Sequence, residues 1–134
     1  INYVLKLQEN ARYKLTIWPP HCLIGTPGWC LMPQLMTPLL EWEGQFNKVE
    51  KVRKGSNLYT EHYSAIQADV PDPQDPSTQL NMGLIQALQE ADIVAVAGWA
   101  SSHCLANTVR DIAANFADDS YVGKLVLLTD ATSP

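Results

Sequence analysis

Ile93-Val94-Ala95-Val96-Ala97, continuing as Gly98-Trp99-Ala100-Ser101-Ser102-His103-Cys104, is the stretch on which the reading of the fold turns. Its apolar, valine-bearing half predicts a buried strand, and Gly98 predicts the turn that ends it. Leu105, Val109, Ile112, Ala113 and Phe116 then recur at the three- and four-residue spacing of one buried helical face. A strand running into a helix puts Cys104 in the helix's first turn, with Ser101 or Ser102 as N-cap. Backbone N–H groups there lack intrahelical partners, and the positive end of the helix favours a thiolate, the nucleophilic form of cysteine. The Cys104 N–H is such a donor, and a free donor beside a nucleophile is an incipient oxyanion hole. Unpaired cysteine also serves as a small apolar filler, so position alone leaves both roles open.

Further along, Leu125 to Thr129 predicts a second strand. Its unbroken run Leu125-Val126-Leu127-Leu128 implies burial on both faces, as in a parallel sheet covered by helices. Leu80 to Ala91 predicts a helix with Leu84, Ile85 and Leu88 on one side, and Pro33 to Trp42 another. Residues 2–11 look like the end of a helix, and Tyr13 to Trp18 and Val49 to Lys54 like short strands. Alternating strands and helices predict an α/β protein with a three-layer αβα, Rossmann-like fold and a mainly parallel central sheet. Ligands in such folds bind beyond the carboxyl ends of the strands, the edge to which Cys104 belongs. Between these elements, Pro19, Pro20, Gly25, Pro27 and Gly28 predict a loop holding His21 and Cys22. Tyr59 to Ile66 reads as a short helix or an ordered loop, and the proline-rich Asp69 to Ser77 as a surface linker.

The 134 residues suit a single domain, 1–134, and 46% apolar with 17% charged residues describe a globular core rather than a disordered chain. A net charge of −5, with no basic patch beyond Lys48, Lys51, Arg53 and Lys54, argues against a nucleic-acid partner. No apolar run is long enough for a bilayer and no signal-peptide pattern opens the sequence, so no membrane partner and a cytoplasmic location are expected. Three cysteines, Cys22, Cys30 and Cys104, form no metal-type CxxC pair and indicate reduced thiols. A start at Ile1 rather than methionine is expected of a processed form or a fragment.

Three further residues are candidates for the same edge. Lys54, at the carboxyl end of its predicted strand, would favour a neighbouring thiolate by charge, or would simply be solvated in its charged run. His21, held by two prolines, suits a metal ligand or a substrate contact, although a lone histidine is more often structural. His62 lies in Tyr59-Thr60-Glu61-His62-Tyr63-Ser64-Ala65, a polar and aromatic cluster that suits either a pocket for a planar ligand or a buried polar network. His103 is not assigned as the base, because neighbouring helical positions point about 100° apart. Asp130 ends the last strand and would reach the same edge or cap the following turn.

Together, Trp18-Pro19-Pro20-His21-Cys22, Gly25-Thr26-Pro27-Gly28, Lys54-Gly55, Tyr63-Ser64-Ala65 and Val96 to Cys104 resemble, in order and spacing, the isochorismatase-like cysteine hydrolases. Nicotinamidases are the branch most similar to it. The resemblance implies a cysteine amidase acting on a small carboxamide, nicotinamide-like in its C–N bond, through a thioester. Cys104 would be the nucleophile and Lys54 its basic partner, while the N–H groups of Ala100 and Cys104 would form the oxyanion hole after a cis Trp99-Ala100 bond. Trp99, Tyr63 and His62 would line the substrate pocket. His21 would ligate zinc or another divalent metal, with no nucleotide cofactor, and the protein would be a homo-oligomer. The family's general-base aspartate comes from its first strand. Because no aspartate precedes Asp69 here, that residue is expected from a longer chain or a partner chain. The alternative is a non-catalytic relative that binds a small ligand or serves in assembly.

Overall fold

In the computed structural model, which describes residues 2–10 and 13–134, the elements run α1 (Asn2–Asn10), α2 (Pro33–Gly44), α3 (Met82–Glu90), β1 (Val94–Gly98), α4 (Cys104–Asn115) and β2 (Leu125–Thr132). Short 3-10 helices at Pro76–Thr78 and Asp119–Lys124 precede α3 and β2. These elements are divided between two compact units, Ile1–Tyr13 with Arg53–Pro134 and Lys14–Val52.

In the larger unit β1 and β2 pair in parallel, Val94 opposite Leu125, Ala95 opposite Val126 and Val96 opposite Leu127, before an irregularity that brings Gly98 opposite Thr132. Parallel neighbours need a crossover, and α4 lies within it, so the described residues form a small α/β unit. Asn81 starts α3 by accepting the Leu84 N–H at 3.0 Å. At the other end Lys124 Nζ donates to the carbonyls of Gln89 and Ala91 at 2.7 and 2.8 Å, placing a cation on the negative end of that helix. Ile85 of α3, Ile112 of α4, Ile66 and Phe116 form the core cluster, with Leu80, Leu84, Leu88, Tyr121 and Leu125 packed around it. Leu7 buries the inner face of α1.

The smaller unit is α2 with its flanking loops. Pro33 sits in the first turn of α2, where a missing N–H costs nothing, whereas Pro38 removes a hydrogen bond from the helix interior. No residue of α2 is buried. Turn bonds from Thr26 N to Leu23 O, Trp29 N to Thr26 O and Cys30 N to Pro27 O shape the proline-glycine loop. Lys51 pairs with Glu43 at 3.0 Å, and Lys48 with Glu50.

Several expectations are corrected. Tyr13 to Trp18 and Val49 to Lys54 are irregular, not strands, and neither joins a ladder: the unit boundaries fall within both segments, and Ile17 is 90% exposed. Leu80 to Ala91 shortens to Met82–Glu90, because Asn81 caps at the second residue. The expected burial of Leu125-Val126-Leu127-Leu128 on both faces does not occur. Val126, Leu127 and Leu128 are 45, 48 and 39% exposed, since the sheet has two strands among the described residues. The Asp69 to Ser77 linker keeps to the surface as expected, with no residue buried, and is tied down by the fully buried Thr78, whose Oγ1 is joined to Asp72 and Asp75. Tyr59 to Ile66 is a loop, and Ala11 of the predicted first helix lies outside the described residues. Among the described residues no helix is long and apolar enough to cross a membrane.

Candidate active site

Beyond β1 the chain turns at Gly98, whose φ of 131° is open to glycine and strained for other residues. The Trp99–Ala100 peptide bond that follows is cis, at the position the resemblance gives it. The Ala100 carbonyl then accepts from both His103 N at 3.1 Å and Leu105 N at 3.0 Å, and Ser101 N donates to Ser133 O at 2.7 Å beyond β2. These bonds fold residues 100–103 into the turn from which α4 rises at Cys104. The N-cap position belongs to His103, whose side chain makes no capping bond to the helix, and not to Ser101 or Ser102. The Ser102 hydroxyl is instead paired with His103 Nδ1 at 3.0 Å.

Cys104 is half-buried at this first turn. Lys54 Nζ lies 3.6 Å from its sulfur and donates to the His62 carbonyl oxygen at 2.9 Å. The reach of Lys54 comes from a loop and not from the expected strand end; Gly55, with φ 75°, turns the chain directly after it. The receiving loop is held in turn by Thr108, whose hydroxyl donates to Cys104 O at 2.7 Å and accepts the Ala65 N–H at 3.0 Å. Lysine, histidine carbonyl and cysteine are thus tied to one turn of one helix. The N–H groups of Ala100 and Cys104 donate to no acceptor among the described residues. A thiol beside an ammonium, at the positive end of a helix and next to unengaged backbone donors, faces groups that can meet developing negative charge.

The predicted pocket residues have different surroundings. Tyr63 is buried, its ring 5.3 Å from that of Tyr13 and 5.4 Å from that of His103, and Tyr13 stacks on His103 at 4.9 Å with a 21° interplanar angle. His62 is half-buried. Burial holds its imidazole below the ordinary pKa of 6.5, the Lys54 ammonium acts in the same direction, and the Asp75 carboxylate opposes both. Trp99 is 70% exposed. A cavity of about 290 Å3 in this unit is bounded by Leu7, Asn10, Ala68, Asp69, Pro71 and Asp111, and includes none of the predicted site residues.

His21 belongs to the smaller unit, where its exposed ring has Nδ1 at 2.7 Å from Pro19 O and meets Trp18 edge-on at 6.3 Å. Among the described residues no group of three or more His, Cys, Asp and Glu could hold a metal ion. A single exposed histidine with one nitrogen against a carbonyl does not make a zinc site, so the donor set does not fit the implied metal. Cys22 and Cys30 are exposed free thiols of the same unit.

Three residues that the sequence did not single out belong to the site: Tyr13, Asn107 and Thr108. Asn107, fully buried, and Asp111, 1% exposed, lie on the side of α4 opposite its apolar stripe of Leu105, Val109, Ile112 and Phe116. Compared with family models, curated proteins and solved structures, the chain has no match.

Proposed function

We propose that the protein is a cysteine hydrolase of small carboxamides, with Cys104 as nucleophile. The observation that carries this reading is the placement of Lys54 Nζ 3.6 Å from Cys104 Sγ at the first turn of α4. In the proposed reaction the Cys104 thiolate adds to the carbonyl carbon of a nicotinamide-like substrate, and the oxyanion lies against the Ala100 and Cys104 N–H groups. Collapse breaks the C–N bond, and ammonia leaves with a proton. Water then adds to the thioester, releasing the acid and returning the sulfur. Lys54 holds the thiolate by charge, and the general-base aspartate that the resemblance implies would take the thiol proton. Tyr63, His62 and Trp99 are the proposed substrate contacts.

The same reading makes β1, α4 and β2 part of a larger three-layer αβα fold with a mainly parallel sheet, acting as a homo-oligomer in the cytoplasm. Parallel pairing, exposed Val126, Leu127 and Leu128, and three free thiols support it. A second reading, ligand binding without catalysis, draws on the cavity beside Asp69 and Asp111, which excludes Cys104.

Ammonia release from a panel of aromatic carboxamides tests the proposal. Release that depends on Cys104 supports it. An active Cys104→Ala variant, or a chain whose Cys104 forms no acyl adduct with any of them, removes it.

A further inference from the structure

One peptide unit joins His103 to Cys104. Its nitrogen is the Cys104 N–H, the proposed oxyanion donor, and its oxygen is the His103 carbonyl. In a planar trans peptide these two groups point in opposite directions, so whatever fixes the oxygen also fixes where the N–H points. The His103 oxygen accepts two hydrogen bonds from a single residue, one from the Asn107 backbone N–H at 2.9 Å and one from Asn107 Nδ2 at 2.8 Å. The backbone bond is the ordinary helical one. The second is supplied by the side chain, and it is out of water, since Asn107 is fully buried.

The other hydrogen of the same amide is used as well. Asn107 Nδ2 donates to Tyr13 Oη at 3.1 Å, and the Tyr13 hydroxyl donates onward to Ser102 O at 2.9 Å. Two successive carbonyls, those of Ser102 and His103, are therefore held by one connected pair of side chains. The Tyr13 ring adds its stack on His103.

Resting on the hydrolase reading, we propose that Asn107 is a positioning residue that, with Tyr13, sets the direction of the Cys104 N–H toward the oxyanion. It acts through the His103–Cys104 peptide plane. A hydrogen bond to a carbonyl also polarises the N–H of the same peptide, so both aim and donor strength depend on it. Small losses of aim at such a donor are expensive, because an oxyanion interaction is made in the transition state.

The test compares two reactions of the same sulfur in the full chain, each read by mass spectrometry on the Cys104 peptide. Alkylation by iodoacetamide is a displacement at saturated carbon with no oxyanion. Acylation by p-nitrophenyl acetate forms an S–C bond at the carbonyl carbon and passes through an oxyanion before the C–O bond breaks and p-nitrophenolate leaves. In Asn107→Asp the side chain keeps its shape and loses both donors. Acylation is expected to slow about ten- to a hundredfold, with alkylation changed by less than about twofold. Asn107→Ser, whose hydroxyl can donate to the carbonyl four residues back, is expected to recover part of the acylation rate. Tyr13→Phe keeps the ring, loses the hydroxyl bonds, and is expected to slow acylation alone by a smaller factor. Equal losses in both reactions would reduce Asn107 to a structural residue and overturn the role, and so would unchanged acylation in Asn107→Asp. A parent chain alkylated but never acylated at Cys104 would overturn the hydrolase reading itself, and this role with it.

Discussion

The Lys54 ammonium is 3.6 Å from the Cys104 sulfur while donating to the His62 carbonyl at 2.9 Å, so one lysine joins the loop after Gly55 to the first turn of α4. Lys54 is solvent-exposed and Cys104 half-buried. A cation so placed is screened, and its effect on the sulfur is smaller than burial would make it.

Replacing the sulfur separates chemistry from folding. Cys104→Ala removes one half-buried atom, so a stability change below about 1 kcal/mol is expected together with complete loss of carboxamide hydrolysis. Thermal melts and ammonia release, run side by side, measure the two. Retained hydrolysis would end the nucleophile assignment.

His62 gives the protein a pH dependence whose sign follows from its lowered pKa. Above the ordinary value of 6.5 the imidazole is neutral both folded and unfolded, and the fold bears no penalty from it. As pH falls below that value the unfolded chain takes up a proton that the folded imidazole, desolvated and beside Lys54, still resists. Stability therefore falls toward acid until the folded imidazole titrates too. His62→Gln should flatten this part of the melting-temperature profile. In Lys54→Met the His62 ring signals should titrate at higher pH by NMR; an unshifted titration would mean that the Lys54 charge does not reach the ring.

Packing predicts a contrast between two leucine-sized side chains. Ile85 is 1% exposed in the cluster with Ile66, Ile112 and Phe116, and Ile85→Ala should cost about 2–5 kcal/mol in denaturant unfolding. Leu127 is 48% exposed, and Leu127→Ala should cost less than about 1 kcal/mol. Equal losses would mean that β2 is covered in solution.

The start of α4 was legible because a strand, a glycine and an apolar stripe with helical spacing occur in succession, and each reports local backbone preference. Lys54 was found for a partly different reason. Its proximity to the cysteine was expected from a strand end, whereas a glycine turn and the Thr108 hydroxyl provide it. Leu125 to Leu128 show the limit of reading burial from composition. An apolar run specifies a strand, but its exposure depends on how many strands flank it, which no single segment encodes. Asn107 and Tyr13 escaped notice because periodicity counts apolar positions. A buried amide bonded to a tyrosine 94 residues away in sequence leaves no local pattern.

The most direct measurement is the rate of iodoacetamide labelling of each cysteine at about pH 7, resolved by peptide mass spectrometry in the parent chain and in Lys54→Met. Cys104 should label about tenfold or more faster than exposed Cys22 and Cys30 in the parent chain, and about three- to tenfold more slowly once Lys54 is replaced. A Cys104 that labels more slowly than Cys22 and Cys30, with no response to Lys54→Met, would contradict an activated nucleophile and leave the thiol as packing.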